Sequence, residues 1–253
     1  PATQGVARTT DEFPLPIASF GDMITVNIDG IDYVLAVDTA NNLIRKYKTD
    51  SGFEVNDNFP ITASVDETSS IRVAEITGTK YILVDTTDNQ VLKYNANSGA
   101  PVAFSDSTIN LGDNEIVDME VGDDGSGTQY VYVAYMDTTL KVAKYAAADG
   151  ALDTGTPFDD PGDDDGIVDT GGTAGYDLEI ADDGTGTTYV YAGLISGGTA
   201  QIAKYAATDG ALDTATPFDD PGDDDGVVDT TGTSGYDLEI ADDGTGTTYV
   251  YAY

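Results

Sequence analysis

Two aspartate-rich segments are the parts of this sequence whose residue types and spacing could do chemistry. They cover residues 159–172 and 219–232, and both contain the run PGDDDG. When the first is laid on a calcium-binding loop of the EF-hand type, Asp163, Asp165 and Asp169 fall at positions 3, 5 and 9, and Gly166 falls at the turn in position 6. A tight loop of this kind brings alternate carboxylates onto one cation, and calcium prefers such oxygen ligands.

Two ligand positions of that loop lack a side-chain oxygen, because Pro161 is at position 1 and Gly172 is at position 12. A neighbouring carboxylate that folds back could supply the missing oxygens. The predicted calcium ligands are therefore Asp159, Asp160, Asp163, Asp165 and Asp169 in the first segment, and Asp219, Asp220, Asp223, Asp225 and Asp229 in the second. The alternative interpretation is a solvated acidic loop in which Asp and Gly only form turns.

Three shorter Asp-Asp-Gly-x-Gly loops, at residues 123–127, 182–186 and 242–246, are weaker cation candidates. Their glycines are typical of hairpin turns, and that interpretation is the one we favour. They do not resemble a phosphate cradle, because a strand follows each loop and the local charge is negative.

Composition excludes many functions. The 253 residues include 46 acidic and 10 basic side chains, which gives a formal net charge of −36. Nucleic acid binding needs clustered Lys and Arg, so a nucleic acid partner is excluded from the prediction. Direct membrane insertion is not expected either, because the longest strongly apolar run, Tyr130–Met136, is too short to span a membrane. The absence of His and Cys removes a Ser-His-Asp triad, a thiol nucleophile, an ordinary zinc site and a haem ligand set.

An internal repeat must position the aspartate-rich segments. Residues 144–193 and 204–253 align without a gap at a period of 60 and differ at six of fifty positions. A Lys-Tyr pair marks these copies and two weaker ones upstream, at residues 46–47, 93–94, 144–145 and 204–205. A glycine turn follows each pair, so the changing spacing of 47, 51 and 60 residues comes from loops inserted into a constant unit.

The constant unit predicts four short strands. A first strand is expected at residues 23–28, 71–76, 116–121, 177–180 and 237–240, and a second at 33–37, 81–85, 130–135, 189–192 and 249–253. A third strand ends at each Lys-Tyr pair, and a looser fourth follows the glycine turn, as at residues 100–104. Bulky groups on both faces of the second strand indicate burial on both sides, and no helix is expected.

Four antiparallel strands per repeat, buried against similar neighbours, predict an all-β protein: a β-propeller of about five four-stranded blades. As one domain over residues 1–253, it would have blade units near 22–66, 70–115, 116–175, 176–235 and 236–253 plus 5–20. The last unit contains only two strands, and residues 5–9 and 13–17 resemble its missing third and fourth strands. These strands could complete the blade in their own chain or in a neighbouring subunit, or the sequence could be part of a longer array.

From the Lys-Tyr pair onward, the chain resembles the delta-60 repeat, a bacterial β-propeller repeat. Over residues 140–253, the segments ADGALDT, Phe158, Gly166-Ile167-Val168 and Tyr191-Ala192-Gly193 follow the order of that repeat. The run at 159–165 is an insertion, and the usual PDGK turn is replaced by Asp-Asp-Gly-Thr-Gly. The resemblance implies a propeller fold in large exported or surface proteins of largely unassigned function.

Other residue types favour structural roles. The 16 tyrosines recur at regular places in the predicted strands, so we interpret them as core residues rather than as a glycan-stacking surface. Lys144 and Lys204 are interpreted as structural ion partners. Aspartate pairs recur in every repeat, which is typical of a scaffold, whereas a unique active site breaks the repeat at one place. We find no clear break of this kind.

The leading prediction is a non-catalytic structural or adhesive repeat protein, stabilised by Ca²⁺ and located outside the cell or on its surface, with an export signal already removed. Its partners would be other copies of itself, in a surface layer or extracellular filament, or components of the cell surface and matrix. The alternative is a propeller module that binds a glycan or a protein. The third hypothesis is a calcium-dependent, lactonase-like hydrolase.

Overall fold

The computed structural model describes residues 19–55, 58–105, 108–154, 158–159, 165–182, 186–214, 226–230, 232–233, 237–242 and 248–252. All the regular elements within these ranges are strands. Four antiparallel sheets of four strands and one of two strands follow one another along the chain. No helix within the described ranges is long and apolar enough to cross a membrane.

Sheet 1 contains β1 (Phe20–Ile28), β2 (Ile31–Asp38), β3 (Leu43–Lys48) and β4 (Ile61–Thr62). Sheet 2 contains β5 (Ile71–Ile76), β6 (Thr79–Asp85), β7 (Gln90–Asn95) and β8 (Ile109–Asn110). Sheet 3 contains β9 (Glu115–Asp123), β10 (Gln129–Met136), β11 (Leu140–Ala146) and β12 (Ile167–Asp169). Sheet 4 contains β13 (Ala174–Asp182), β14 (Thr188–Ser196), β15 (Thr199–Ala206) and β16 (Val227–Asp229). Sheet 5 contains β17 (Leu238–Asp242) and β18 (Thr248–Ala252).

Each sheet is a meander in which consecutive strands pair. The first hairpin of sheets 1 and 2 closes through two residues, Asp29-Gly30 and Thr77-Gly78, all of which have positive φ. Turns of this type match the right-handed twist of the flanking strands, and glycine adopts the second position without steric cost. The glycines at these two places in the sequence therefore set the first hairpin turn of sheets 1 and 2.

The core lies between the sheets. The second strand of sheets 1 to 3 is buried on both faces, as the alternation of bulky groups predicts. Apolar side chains from sheets 1 and 2 form one continuous cluster, those from sheets 3 and 4 form another, and a third joins sheets 2 and 3. Each sheet thus buries its faces against its neighbours, which is why a single repeat could not fold alone.

The Lys-Tyr pair lies near the end of each third strand. Its tyrosine pairs with the second strand and also forms an isolated bridge beyond the glycine turn, from Tyr47 to Glu54 and from Tyr94 to Pro101. The fourth strand predicted at residues 100–104 is wrong. Ala100 and Val102 bond to β7 only around the bridge at Pro101, as at the equivalent bridge of sheet 1, and β7 pairs with β8, further along the chain.

The first strands of successive sheets, β1, β5, β9, β13 and β17, lie against one another. We call these the inner strands. The strands predicted at residues 5–9 and 13–17 lie outside the described residues, so the completion of the last blade by them stays a prediction.

Candidate functional site

The inner strands bring carboxylates of different sheets together. The Asp22 carboxylate accepts a hydrogen bond from the backbone N–H of Ile71 at 3.1 Å. Asp118 accepts one from the backbone N–H of Leu178 at 2.9 Å. Each bond joins the side chain of one inner strand to the backbone of the next sheet, so these aspartates link sheets.

Two more bonds continue this pattern. Asp177 accepts a hydrogen bond from the backbone N–H of Leu238 at 2.5 Å. Sheet 2 has Ser70 where the other sheets have aspartate, and its hydroxyl donates to Asp118 Oδ1 at 2.6 Å. The inner-strand cluster, by which we mean these groups together with their charged neighbours, comprises Asp22, Ser70, Arg72, Asp85, Asp118, Glu120, Asp177 and Glu179.

Arg72 is the cation of the inner-strand cluster. Its guanidinium forms ion pairs with Asp22 and Glu120, and a third with Asp118 at 3.4 Å. It also donates to the carbonyl oxygen of Ile71 at 3.0 Å. The three carboxylates raise the pKa of Arg72 although burial opposes them. One side chain on sheet 2 therefore ties together sheets 1, 2 and 3.

The cluster contains more carboxyl groups than cations. Three of its carboxyls have pKa values above those of an ordinary aspartate or glutamate. Burial, followed by a hydrogen bond shared with Asp118, raises the pKa of Asp177 to about 8. Burial also raises the pKa of Asp85 to about 8. Burial and the charge of Glu120 raise the pKa of Glu179 to about 7. These carboxyls hold protons near neutral pH, because a buried charge without a partner is costly.

Arg72 is not among the residues that the sequence pattern predicts for a site. It lies two residues after Ser70, at the position that holds Ile24, Glu120 or Glu179 in the other sheets. The later sheets have glutamate at this position, so Arg72 departs from the repeat there, as Ile24 does in sheet 1. The signal was present in the sequence, but the shorter spacing of the first two repeats hid the alignment.

The structure describes four of the predicted calcium ligands. Asp165 accepts a hydrogen bond from the N–H of Ile167 at 2.9 Å, which is a turn interaction. Asp169 Oδ1 accepts from the N–H of Gly171, and its Oδ2 accepts from the hydroxyl of Thr139, both at 2.9 Å. Two of these carboxylates thus already have structural partners.

The other two described ligand candidates are Asp159 and Asp229. Asp159 is buried, and its backbone N–H donates to the Asp209 carbonyl oxygen at 3.1 Å. Asp229 accepts from the side-chain amide of Gln201 at 2.7 Å. Asp160, Asp163, Asp219, Asp220, Asp223 and Asp225 lie outside the described residues. Within the described ranges no three carboxylates are arranged to hold a metal ion, so the predicted calcium ligands are not brought together there.

The loop at residues 123–127 is a hairpin turn, as favoured from the sequence. Asp123 Oδ1 accepts hydrogen bonds from the N–H groups of Gly125 at 2.6 Å and Gly127 at 2.9 Å. Asp124 caps the N–H of Ser126 with one oxygen and pairs with Lys144 through the other. Both carboxylates serve the turn and the adjoining strand.

The lysine of the first Lys-Tyr pair joins sheet 1 to sheet 2. Lys46 Nζ is buried and donates to the carbonyl oxygens of Ala96 and Asn97, both at 3.1 Å. It lies 4.3 Å from the ring centre of Phe59 and 4.9 Å from that of Tyr33. Two aromatic faces and two carbonyl dipoles thus surround the ammonium group.

Lys93 makes the same connection from sheet 2 to sheet 3. Its Nζ donates to the carbonyl oxygen of Ala148 at 2.7 Å and lies 4.2 Å from the ring centre of Phe104. Burial lowers the pKa of Lys93, and the charge of Asp149 opposes that effect. The lysine therefore has a mainly neutral environment in this sheet.

Lys144 and Lys204 form ion pairs, which confirms their predicted role. Lys144 is fully buried between Asp124 at 2.9 Å and Asp153 at 3.2 Å. Lys204 pairs with Asp213 at 2.7 Å. The Lys-Tyr marker thus holds a buried cation in each sheet from 1 to 4, but its partners change from carbonyl groups to carboxylates.

The arrangement of the sheets is similar to that of several solved structures. The chain is similar to BBS1N in complex with ARL6DN, with a TM-score of 0.57, 11% identity, and coverage of 89% of this chain and 61% of that one. The fold is a β-propeller. A second similar structure is the dihydro-heme d1 dehydrogenase NirN in complex with DHE, with a TM-score of 0.51, 11% identity, and coverage of 74% of this chain and 36% of that one. This propeller therefore spans less than two thirds of either chain.

A third similar structure is the Dos1 propeller, with a TM-score of 0.49, 12% identity, and coverage of 87% of this chain and 50% of that one. No family model matches the chain, and no curated protein matches it. At these identities the likeness concerns the fold alone.

Proposed function

We propose that this propeller is a non-catalytic structural or adhesive protein, exported from the cell and stabilised by calcium at its aspartate-rich segments. The observation that carries the proposal is that carboxylates of the inner strands bond to groups of neighbouring sheets. Asp118 and Asp177 each bond to the backbone of the next sheet, and Arg72 is held by three carboxylates. These groups hold the sheets together, which is a structural use of carboxylates.

A family resemblance and the net charge support the proposal from the sequence side. The resemblance to the delta-60 repeat over residues 140–253 points to exported or surface proteins. A formal net charge of −36 keeps such a protein soluble and attracts divalent cations. Calcium would be held by the predicted ligands of the two aspartate-rich segments, of which Asp163 and its repeat counterpart Asp223 have the spacing of a calcium loop.

A propeller that binds a protein is the second candidate. BBS1N, one of the similar structures, was solved in complex with ARL6DN, so this fold can present a surface to a protein partner. Phe53, whose side chain is exposed on the turn after β3, is one apolar group that such a partner could contact. The lactonase-like hydrolase is the least supported alternative, since the carboxylates that the structure brings together link the inner strands of different sheets.

The test is a thermal unfolding series at fixed ionic strength, with calcium chloride and then with a chelator. Calcium at about a hundred times its dissociation constant contributes about 2.7 kcal/mol, which corresponds to a rise in Tm of about 5–10 °C for a chain of this size. The variant D163N together with D223N should lose most of this rise. The matched variant D113N, in the exposed turn between sheets 2 and 3, should keep it.

Two results would overturn parts of the proposal. An unchanged Tm in calcium and chelator would remove the calcium stabilisation. Hydrolysis of lactone or ester substrates that stops in D177N, with the fold retained, would show that the inner-strand cluster is catalytic.

A further inference from the structure

A cleft lies between sheets 1 and 2, at the end where the first hairpin of each sheet closes. Its volume is about 260 Å³, and its lining includes Ile28, Asp29, Thr79, Lys80, Asn95 and Asn97. The first two of these residues belong to sheet 1 and the others to sheet 2. The volume is just below the usual range for ligand sites, so the cleft suits a single small ring rather than a larger molecule.

Lys80 departs from the repeat at this cleft. Its carbonyl oxygen accepts a hydrogen bond from the N–H of Ala96 at 3.0 Å. Gln129 accepts the equivalent bond from Ala147 at 3.1 Å, so it has the same place in sheet 3. Gln129 Oε1 also crosses to sheet 2 and accepts from the backbone N–H of Glu75 at 2.5 Å. Lys80 pairs instead with Glu75 of its own sheet at 3.8 Å, so it does not make the link to the preceding sheet that glutamine makes.

Two asparagines of the same cleft depart from the repeat as well. Asn95 pairs with the tyrosine of the second strand, in the register that Ala146 has in sheet 3. Two residues further on, Asn97 stands where sheet 3 has Ala148. Amide side chains thus replace alanine at two positions, and both line this cleft. Three departures from the repeat therefore converge on the space between sheets 1 and 2.

The backbone around these asparagines is held in place. Asn95 Oδ1 accepts from the backbone N–H groups of Asn97 at 3.1 Å and Ser98 at 2.9 Å. The buried Lys46 donates to the carbonyl oxygen of Asn97 at 3.1 Å. No described residue accepts from the two N–H groups of Asn95 Nδ2, so they are available to a ligand. A polar site that is ordered before binding loses less entropy when a ligand enters.

The donors and acceptors of the cleft suit a molecule with several hydroxyl groups. Asp29 and Asn97 face each other across it, and Nδ2 of the asparagine donates to Oδ2 of the aspartate at 3.3 Å. A carboxylate only accepts, the ammonium group of Lys80 only donates, and an amide does both. A hydroxyl donates one bond and accepts others, so neighbouring hydroxyls of a sugar ring can use all three kinds of group.

Charge favours a neutral ligand. Asp29 and Lys80 are the charged residues among the described lining, and their charges cancel. The formal net charge of −36 repels phosphate and carboxylate ligands from the whole molecule. Ile28 and the methylene stem of Lys80 supply apolar surface for the C–H groups of a ring.

We propose that the cleft between sheets 1 and 2 binds one neutral sugar ring of a glycan. This inference rests on the proposed adhesive role and names the class of molecule to which the protein adheres. The site lies in sheets 1 and 2, whereas the predicted calcium ligands lie in the loops at residues 159–169 and 219–229, so sugar binding does not require calcium.

NMR with methyl glycosides of neutral hexoses tests the site. A small cleft of this kind should bind a methyl hexoside with a dissociation constant on the order of 1 mM. Saturation transfer should reach the sugar, and the amide signals that shift on titration should include those of Lys80, Asn95 and Asn97. The binding constant should be equal at low and high ionic strength, because salt does not screen a neutral ligand.

K80Q should close the cleft. Asn27 has the place in sheet 1 that Glu75 has in sheet 2, so a glutamine at position 80 can accept from the backbone N–H of Asn27. We expect K80Q to weaken glycoside binding about tenfold or more. K141Q is the matched control, because it changes a partly exposed lysine of sheet 3 and should leave binding unchanged.

N95A and N97A remove the amide groups. Sheet 3 has alanine at both positions and forms the same turn, so both variants should fold, which thermal unfolding checks. Each should weaken binding by about fivefold. Glycoside binding of normal strength in K80Q, N95A and N97A would overturn the inference.

Two further results would overturn it. One is a titration in which no methyl glycoside shifts an amide signal of the cleft. The other is a shift of these signals by inorganic phosphate or a free amino acid when glycosides cause none, because the cleft would then bind a charged ligand.

Calcium separates this inference from the proposed function. If no glycoside binds and calcium still raises the Tm, the calcium-stabilised structural role stands and only the sugar site fails. If glycosides bind equally in calcium and chelator while the Tm stays constant, the sugar site stands and the calcium stabilisation fails.

Discussion

The carboxylate of Asp118 accepts a hydrogen bond at 2.9 Å from the backbone N–H of Leu178, which lies 60 residues further along the chain. This separation equals the repeat period, so the bond joins one sheet to the next. Asp177 makes the equivalent bond to Leu238. A carboxylate that satisfies a buried N–H is more than a solvated acid, because its loss would leave that donor unpaired.

The raised pKa of Asp177 predicts how stability depends on pH. Its pKa is about 8 in the folded protein, through burial and the hydrogen bond shared with Asp118. It is close to 4 in the unfolded chain. Between these values the folded state binds more protons than the unfolded state, so the free energy of unfolding should fall as pH rises from about 4 to about 8. The slope is at most about 1.4 kcal/mol per pH unit for each such carboxyl.

D177N should reduce this slope, because its amide imitates the protonated acid and can donate to Asp118 at every pH. Urea unfolding between pH 5 and pH 8.5 measures the effect, with D113N as the matched variant at an exposed position. Burial opposes a low pKa for Asp124, but its hydrogen bonds with Ser126 and Lys144 lower that pKa. Asp124 therefore contributes stability above about pH 4 that is lost in acid, which is outside the range from pH 5 to pH 8.5. An equal slope in D177N and the unmodified protein would contradict the argument.

Removing Arg72 should strongly destabilise the propeller. R72M leaves Asp22, Asp118 and Glu120 without their cation, and breaking a buried ion pair in this way costs about 3–5 kcal/mol. Protonation of the stranded carboxylates should reduce the loss in mild acid. Urea unfolding at pH 5 and pH 7.5 measures both effects.

Two matched variants define what Arg72 contributes. R72K keeps the charge but loses the planar fork that reaches three carboxylates, so its stability should fall between that of R72M and the unmodified protein. K80M removes a partly exposed pair with Glu75 at 3.8 Å and should cost less than about 1 kcal/mol. A similar loss in K80M and R72M would show that the bonds around Arg72 have no special value.

The sequence predicts the strands of this fold well because their signals are local. Alternating bulky residues and glycine turns place the first two strands of every sheet, and β5 begins and ends where the pattern predicts, at Ile71 and Ile76. The fourth strand is not predictable in the same way. It has two or three residues, and a long loop separates it from the strand with which it pairs.

The candidate site is harder to predict because its members belong to different sheets. Asp118 and Leu178 look unrelated in sequence until the register of two inner strands is known. Arg72 requires the alignment of repeats with unequal loops. The aspartate-rich segments are the opposite case, since their composition is conspicuous, yet Asp165 and Asp169 already cap local N–H groups.

Lys46 should be essential for the contact between sheets 1 and 2. K46M leaves the carbonyl oxygens of Ala96 and Asn97 without their donor and removes the cation from between two aromatic rings. We expect a loss of about 2–4 kcal/mol, measured by urea unfolding. K141M, which removes a partly exposed pair with Asp137 at 3.5 Å, should cost less than about 1 kcal/mol. If K46M unfolds like the unmodified protein, the lysine is not a link between sheets.

The contact between sheets 3 and 4 depends on a glycine. A Cβ at Gly122 of β9 would lie 2.7 Å from Cγ2 of Ile180 in β13, which is closer than side-chain carbons approach each other. G122A should therefore destabilise the protein by about 1–3 kcal/mol through overpacking. I180A alone should also destabilise it, by loss of buried surface.

The double variant G122A/I180A separates overpacking from a general intolerance of alanine in β9. If the two side chains compete for the same space, its loss of unfolding free energy should be smaller than the sum of the single losses by about 1 kcal/mol. G193A is the matched variant, because a Cβ there would lie 3.6 Å from Leu238, an ordinary contact distance, and should be tolerated. Strictly additive losses in the double variant would show that Gly122 is required for a reason other than its approach to Ile180. Such a result would remove the argument that these two inner strands are held at a distance set by glycine.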